Sequence, residues 1–321
     1  MKLIFLGTGT SHGVPVIGCD CPVCKSSDPH NKRFRCSVYI TVEGGANAKN
    51  DKNDDEKHIL IDVGPDFRSQ ALEHNVRKVD VLLLTHSHAD HLHGIDDLRI
   101  FSCDMFKKPD NPGNMEKYNA PPIPIYTNRA TICDIEKRFD YFFRHCMEGG
   151  GHAKVELIEA ADSFETCGIA VTPIPMMHGS LETTGWLLTE TVNEATDTAA
   201  TKTDVAGTKS TVVKKSIAYL TDCSFISDKS IKEIKENCGL LEHLVIDGLR
   251  VDEHSTHFNF LQALETADKI GAKHVWLTHL THAHSHREII DYIEENLHRF
   301  HNLSTTAETV LPAYDGLEIS T

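Results

Sequence analysis

The residues best suited to chemistry lie in "THSHADH", residues 85–91, where His86, His88, Asp90 and His91 fall within six positions. Imidazole nitrogen and carboxylate oxygen are the donors that hold Zn, Mn or Fe(II). A turn at a strand end can send His86 and His88 to one side. The start of the next helix can send Asp90 and His91 to the other, so one motif can serve two ions. Three more donors follow the same rule. His178 ends "GIAVTPIPMMH", Asp222 ends "SIAYLTD" and His279 ends "HVWLTH". Each follows an apolar strand, so all could converge at one sheet edge. A carboxylate can bridge two cations, which suits Asp222. Two cations roughly 3.5–4 Å apart acidify a shared water and clamp the reacting oxygens, which is hydrolytic chemistry.

Two other groups of donors stand out. Cys19, Cys21 and Cys24 crowd into "VIGCDCPVC". Three thiols cannot all pair with one another. They are a redox cluster, unliganded loop thiols or three-quarters of a closed tetrahedral zinc site. A fourth donor could come from "THLTHAHSH", which offers His282, His284 and His286. His254 and His257 lie in "RVDEHSTHFNF", just after an apolar strand. One of them should face the metals, and the alternative for His257 is to cap the helix that begins near residue 258.

The elements that must position these groups are visible as apolar runs. "KLIFLG", "SVYITV", "HILIDVG", "VDVLLLTH", "PIPIYT", "GIAVTPIPMMH", "GWLLTE", "SIAYLTD", "HLVIDGL", "HVWLTHL" and "GLEIS" read as strands. Helical patterns cover 65–76, 89–103, 129–145, 228–237, 258–271 and 285–299. Asn259 or Phe258 opens the fifth and Gly271 closes it. Strands with interspersed helices predict sheets covered by helices. The segment 43–57 is polar and rich in Gly, Asn and Asp, and 190–216 is rich in Thr and Ala. Both read as enlarged hairpin connections that could reshape the site mouth or contact a partner subunit in a homodimer. "GTGTSHGVP" is a Gly-rich stretch without the Walker pattern, and it reads as a tight turn bringing the first strand's end towards the metals.

The chain has 321 residues, 40% of them hydrophobic, enough for one large α/β domain or two small ones. No linker separates two halves, so one domain spanning 1–321 is expected. No run reaches the ~18 apolar residues of a membrane span, and the opening apolar run is too short for a signal peptide. A cytoplasmic location follows, where thiols stay reduced. Cys36, Cys103, Cys133, Cys146, Cys167 and Cys238 then read as small core residues. The formal charge of −15 argues against long nucleic acid as a partner.

"THSHADH", with Asp62 in "LIDVG" and the three later strand-end donors, resembles the signature of the metallo-β-lactamase superfamily. The resemblance implies an αββα sandwich: two facing mixed β-sheets, helices outside, and a two-metal site at one edge. It implies that His86, His88 and His178 hold one divalent ion (Zn or Mn), and that Asp90, His91 and His279 hold the other. Asp222 lies between them, and Asp62 plays a supporting role. The cysteine cluster, "RVDEHSTHFNF" and "THLTHAHSH" further resemble the PhnP-like phosphodiesterase branch. By that match Cys19, Cys21, Cys24 and His282 hold one structural zinc. His257 becomes the catalytic acid and, with Asp90, the residue on which catalysis rests; His254 orients it or contacts substrate. The implied substrate is a small phosphodiester, of a cyclic ribosyl or nucleotide kind. Alternatives on the same scaffold are a ribonuclease Z-like endonuclease, a thiolester or lactone hydrolase, and a non-enzymatic PqqB-like protein.

Overall fold

The structure is a computed structural model that describes residues 1–43, 56–102, 121–143, 152–195 and 210–321. Among the described residues, fourteen strands form two sheets of seven. The first contains β1 (Lys2–Gly7), β2 (Ser37–Val42), β3 (Lys57–Ile61), β4 (Val81–Leu83), β5 (Ile123–Thr127), β6 (Val155–Glu159) and β14 (Glu318–Ser320), in the order β14-β1-β2-β3-β4-β5-β6. The second contains β7 (Phe164–Thr166), β8 (Ile169–His178), β9 (Leu181–Ala195), β10 (Ser210–Leu220), β11 (Leu240–Asp247), β12 (His274–Thr278) and β13 (Thr309–Pro312), in the order β13-β12-β11-β10-β9-β8-β7. Each sheet is antiparallel on one side and parallel on the other, as β2–β3 against β3–β4 and β9–β10 against β10–β11 show.

Alternation along the strands builds the layers. In β10, Ile217 and Tyr219 join Leu3, Phe5, Ile59 and Ile61 of the first sheet in a core between the sheets. Their neighbours Ala218 and Leu220 point the opposite way, into a core shared with the helices. A period of two puts successive side chains on opposite faces, so both faces must be apolar when both are covered. Trp186 and Tyr219 are the largest fully buried side chains. Burial of each large apolar side chain contributes about 1.5–3 kcal/mol.

Helices close the outer faces. They are α1 (Pro22–Lys25), α2 (Phe67–Glu73), α3 (Ala89–Leu92), α4 (Arg99–Ser102), α5 (Arg129–Arg138), α6 (Asp228–Asn237), α7 (Phe260–Ile270), α8 (His286–Asn296) and α9 (His301–Thr305). On α7 the buried residues Phe260, Ala263, Leu264, Ala267 and Ile270 recur at helical spacing. Asn259 caps this helix in a reciprocal box with Gln262, and Gly271 ends it at φ 77°. The result is the expected αββα sandwich of two facing mixed sheets.

Some expected elements differ. The pattern over 89–103 breaks into α3, a 3₁₀ turn at Ile95–Leu98 and α4. The break falls at Gly94, where the backbone approaches the Gly64 loop so closely that a Cβ would stand 2.1 Å from the Gly64 carbonyl oxygen. The helix expected over 129–145 ends at Arg138 and gives way to a 3₁₀ turn at Asp140–Phe142. Cys36 and Cys238 are buried as expected, but Cys133 is exposed and Cys167 only half-buried. Thr131, Ile132 and Ile135 form the inner face of α5, so Cys133 is left outside. Cys103 and Cys146 lie outside the described residues. The two polar segments also lie largely outside them (44–55 and 196–209). Their flanks pair as hairpins do, Val42 with Lys57 and Ala195 with Ser210. The Met1 ammonium lies 2.6 Å from Glu190 of β9.

Candidate metal centre

Strand ends deliver the expected donors to one edge. His86 follows β4, His178 closes β8, Asp222 follows β10 and His279 follows β12, while α3 carries Asp90 and His91. Three residues at these ends adopt the left-handed conformation: Asp62 at φ 61°, Asp222 at φ 54° and His279 at φ 62°. A non-glycine residue there costs roughly 1–2 kcal/mol. The kink turns each side chain out of its strand and into the shared edge. Backbones also meet closely: a Cβ on Gly64 would stand 2.0 Å from the Asp90 carbonyl oxygen. The loop after Asp62 thereby packs directly on α3.

The donors form two adjacent groups. Ring nitrogens of His86, His88 and His178 lie within 4.8 Å of one another, and so do donor atoms of Asp90, His91, Asp222 and His279. His91 Nε2 stands 3.2 Å from Asp90 and 3.1 Å from Asp222. His279 Nε2 lies 3.3 Å from Asp222, and His86 Nε2 lies 4.0 Å from it. Asp222 therefore faces both groups. His88 is exposed at the mouth, whereas His86, His91, His178, Asp222 and His279 are buried.

Hydrogen bonds fix most of the rings. His91 Nδ1 donates to Asp62 at 2.7 Å, His178 Nδ1 donates to the Thr256 carbonyl at 2.7 Å, and His86 Nδ1 meets Thr85 Oγ1 at 2.9 Å. Thr85 in turn donates to Asp62. These bonds leave the Nε2 atoms of His86 and His91 turned inwards, buried and with no hydrogen-bond partner among the described residues. Histidines that bind metals are held in this manner, one ring nitrogen bonded to the protein and the other free for the ion.

The electrostatics also call for cations. Burial opposes ionisation of Asp90 and Asp222, yet the neighbouring His91 and His279 hold both carboxyls well below the usual range. Burial pushes the His86 and His178 imidazoles down, favouring the neutral form that can ligate. At His91 burial is outweighed by Asp222, Asp90 and Asp62, which demand positive charge beside them. The residues present thus fit a pair of divalent cations.

A residue that sequence reasoning passed over stands beside the cluster. Asp247, the last residue of β11, is fully buried and accepts from His257 Nδ1 at 2.8 Å and from the Cys223 amide. The His257 ring lies 4.4 Å from that of His178 and 4.5 Å from that of His279. Burial lowers the affinity of His257 for a proton, but Asp247 more than restores it, so its pKa is raised. His254 is exposed, its ring 5.3 Å from that of His257 and its Nδ1 bonded within its own loop to Thr256. The signal for Asp247 was available: it ends an apolar strand in "HLVID" as Asp222 does in its own. Thr85 and Thr256 carried no signal of comparable strength.

The cysteine cluster assembles separately. Sγ of Cys19, Cys21 and Cys24 lie 3.4, 3.4 and 3.5 Å from His282 Nδ1. Ligand distances of 2.0–2.3 Å imply edges of about 3.6 Å for a zinc tetrahedron, so the donor set fits. The Cys24 amide, followed by His282, draws the Cys21 thiol down to about 6. His286 is instead the first residue of α8, with its ring against Arg33.

Residues 57–280 match the family described as beta-lactamase superfamily domain. A solved structure described as a new diphosphatase from the PhnP family is 32% identical, with a TM-score of 0.69 over 100% of this chain and 97% of that one. The chain belongs to the metallo-β-lactamase superfamily, in its PhnP-like branch. This PhnP-like chain is also 32% identical, over 99% of its length, to a protein named octanoyltransferase from Porphyromonas gingivalis. It spans about half (51%) of that relative. Zn(2+)-bound PqqB from Methylobacterium extorquens is 16% identical with a TM-score of 0.64, covering 100% of both chains, and shares the fold. No described helix of the PhnP-like chain is long and apolar enough to cross a membrane.

Proposed function

We propose that the chain is a dinuclear metal-dependent hydrolase that attacks a phosphoryl centre in a small molecule, either a phosphodiester or a diphosphate. His86, His88 and His178 would hold one ion, and Asp90, His91 and His279 the other, with Asp222 between them. When bound, such a pair supplies an activated water and a clamp on the phosphoryl oxygens. Zinc and manganese both suit these donors.

The observation that carries the proposal is the His257–Asp247 pair at the edge of the cluster. Displacing an alkoxide or a phosphate from phosphorus calls for a proton donor, and a buried imidazole backed by a carboxylate is one. Asp247 accepts from Nδ1, so Nε2 is the atom that meets the leaving oxygen. His254, at the solvent side of His257, is suited to contact the substrate. The resemblance to a diphosphatase supports phosphorus as the atom attacked, and the −15 charge supports a small substrate over long RNA.

A second reading draws on the relative named octanoyltransferase: acyl chemistry, with hydrolysis of a thiolester at the same centre. A thiolate leaves without a proton, so His257 would then be dispensable. The test is a substrate panel with metal analysis: a linear aryl phosphodiester, 2′,3′-cyclic and ribosyl 1,2-cyclic phosphates, a diphosphate diester and an octanoyl thiolester. Turnover of a phosphoryl substrate that collapses in His257→Ala supports the proposal. Turnover of the thiolester alone, intact in His257→Ala, overturns it in favour of the acyl reading.

A further inference from the structure

His279 differs from the other buried histidines of the cluster. His86, His91, His178 and His257 each have Nδ1 held by a protein oxygen. Both ring nitrogens of His279 are buried and make no hydrogen bond among the described residues. Its ring lies 4.5 and 6.0 Å from those of His257 and His91, and its Nε2 faces Asp222 at 3.3 Å, inside the cluster, so no group outside the cluster braces it among the described residues. Its backbone sits at φ 62°, which a histidine adopts at a cost. The aim of this donor must therefore come from the main chain.

The main chain beside it is gripped from the N-terminal segment. Leu280 N donates to the Thr8 carbonyl at 2.9 Å, and the Leu280 carbonyl accepts from Thr10 N at 3.1 Å. Gly9 bridges to Leu280 between these bonds. Thr8 is fully buried and is itself pinned. Its hydroxyl donates to Asp315 Oδ1 at 2.7 Å and accepts from Arg33 Nη1 at 2.6 Å. The buried Arg33 also donates to the Ala313 carbonyl at 2.6 Å. Asp315 Oδ2 accepts from the Phe34 amide at 2.6 Å. A cation and a carboxyl group thus meet through one hydroxyl, next to the backbone that holds Leu280. The bond from Arg33 is charge-assisted, and losing the hydroxyl would leave the buried guanidinium and the buried carboxyl group each short of a partner.

We infer that Thr8, clamped between Arg33 and Asp315, is a positioning residue that aims His279 through the backbone of Leu280. The inference rests on reading the His/Asp cluster as a metal centre. The main chain here supplies what a hydrogen-bond partner supplies for the other ligands.

The test compares Thr8→Val with Thr8→Ser in the full chain, titrated with Mn²⁺, a hard ion poorly suited to the cysteine cluster. Thr8→Val is expected to weaken Mn²⁺ binding about tenfold, the lower end of what loss of a ligand's support costs. Thr8→Ser should stay within about twofold of the parent, since it keeps the hydroxyl. Ile234→Val in the α6 core loses a buried methyl group and serves as the stability control, with Mn²⁺ affinity unchanged. If Thr8→Val does not fold, Arg33→Lys serves: its single nitrogen cannot serve Thr8 and Ala313 while a second is braced at His286, as Nη1 and Nη2 of Arg33 are, so Mn²⁺ binding should weaken in the same direction. Parent-like affinity in Thr8→Val, or in Arg33→Lys, overturns the inference, as does equal weakening in Thr8→Ser. A parent protein that binds no metal at the cluster would instead overturn the metal-centre reading itself.

Discussion

Asp247 Oδ2 stands 2.8 Å from His257 Nδ1, and the ring it orients lies 4.5 Å from His279 and nearly parallel to it, at 18°. A carboxylate, an imidazole and a candidate metal donor therefore form one continuous line into the cluster. His257→Ala should lower kcat on a phosphoryl substrate by about 10²–10⁴-fold, the range of general acid catalysis. Asp247→Asn should lower it less. Metal content by elemental analysis should be the same in both variants as in the parent; loss of an ion from either would make this pair part of the metal centre.

Replacing Cys21 by Ser removes one of four converging donors. The variant is expected to lose one zinc per chain and to melt at a lower temperature, because a closed zinc site stabilises the fold it ties together. Activity should fall only indirectly. Unchanged zinc content would mean that these thiols hold no metal.

The close contact between Gly64 and the Asp90 carbonyl predicts an unusual glycine effect. A Cβ 2.0 Å from that oxygen must push α3 away, and with it Asp90 and His91. Gly64→Ala should therefore lower metal affinity by about tenfold or more, by analogy with other losses of ligand support. Alanine at Gly168, where nothing lies within 4 Å of a Cβ, should leave metal binding intact despite φ 80°. Calorimetric metal titration of the two variants separates a site effect from a general backbone effect.

Burial raises the Asp315 carboxyl to about 7, against the amide of Phe34, the hydroxyl of Thr8 and the charge of Arg33, which favour ionisation. In the folded chain this group keeps its proton up to about pH 7, while the unfolded chain has lost it above about pH 4. The folded state thus holds the extra proton, and this contribution to stability is lost as pH rises from 4 to 7. His286 acts oppositely. Burial, then Arg33, lower it to about 4, so stability rises as pH increases from 4 to about 6.5. The two slopes offset each other in the parent. Asp315→Asn should unmask the His286 slope, with Tm climbing more steeply between pH 5 and 6.5 than in the parent. Parallel Tm curves would show that Asp315 ionises normally.

Long RNA should not bind. With a formal charge of −15, filter binding of tRNA at physiological salt is expected to show no retention. Tight binding would favour an endonuclease over a small-molecule hydrolase.

The donors were legible because metal chemistry restricts residue type and strand ends restrict position. His86, His178, Asp222 and His279 each close an apolar run, and the edge where they meet follows from the layering of the sheets. The elements that escaped notice lack such restriction. β6 has no fully buried residue and no clear alternation. The break falls where Gly94 meets Gly64, thirty positions earlier, a contact that no local pattern reveals. Asp247 closes an apolar run as Asp222 does, but its role rests on His257, ten positions later, which no local pattern pairs with it. Cys133 was assigned to the core by residue type alone, although the spacing of Ile132 and Ile135 places it on the outer face of α5.

The β9–β10 ladder has one further consequence. It runs from Trp186–Tyr219, near the donors, to Ala195–Ser210, and the ten steps of extended chain from Leu220 to Ser210 span on the order of 33 Å. Val42 and Lys57 also pair at the end of their strands remote from Asp62, and Met1 meets Thr321 and Glu190, which pairs with Lys215 half-way along the ladder. The candidate donors thus gather at one end of the strands, and both hairpin roots lie away from it. Reporter domains or shortened connections grafted at the two hairpin roots attach through ordered strand pairs, remote from the candidate metal centre.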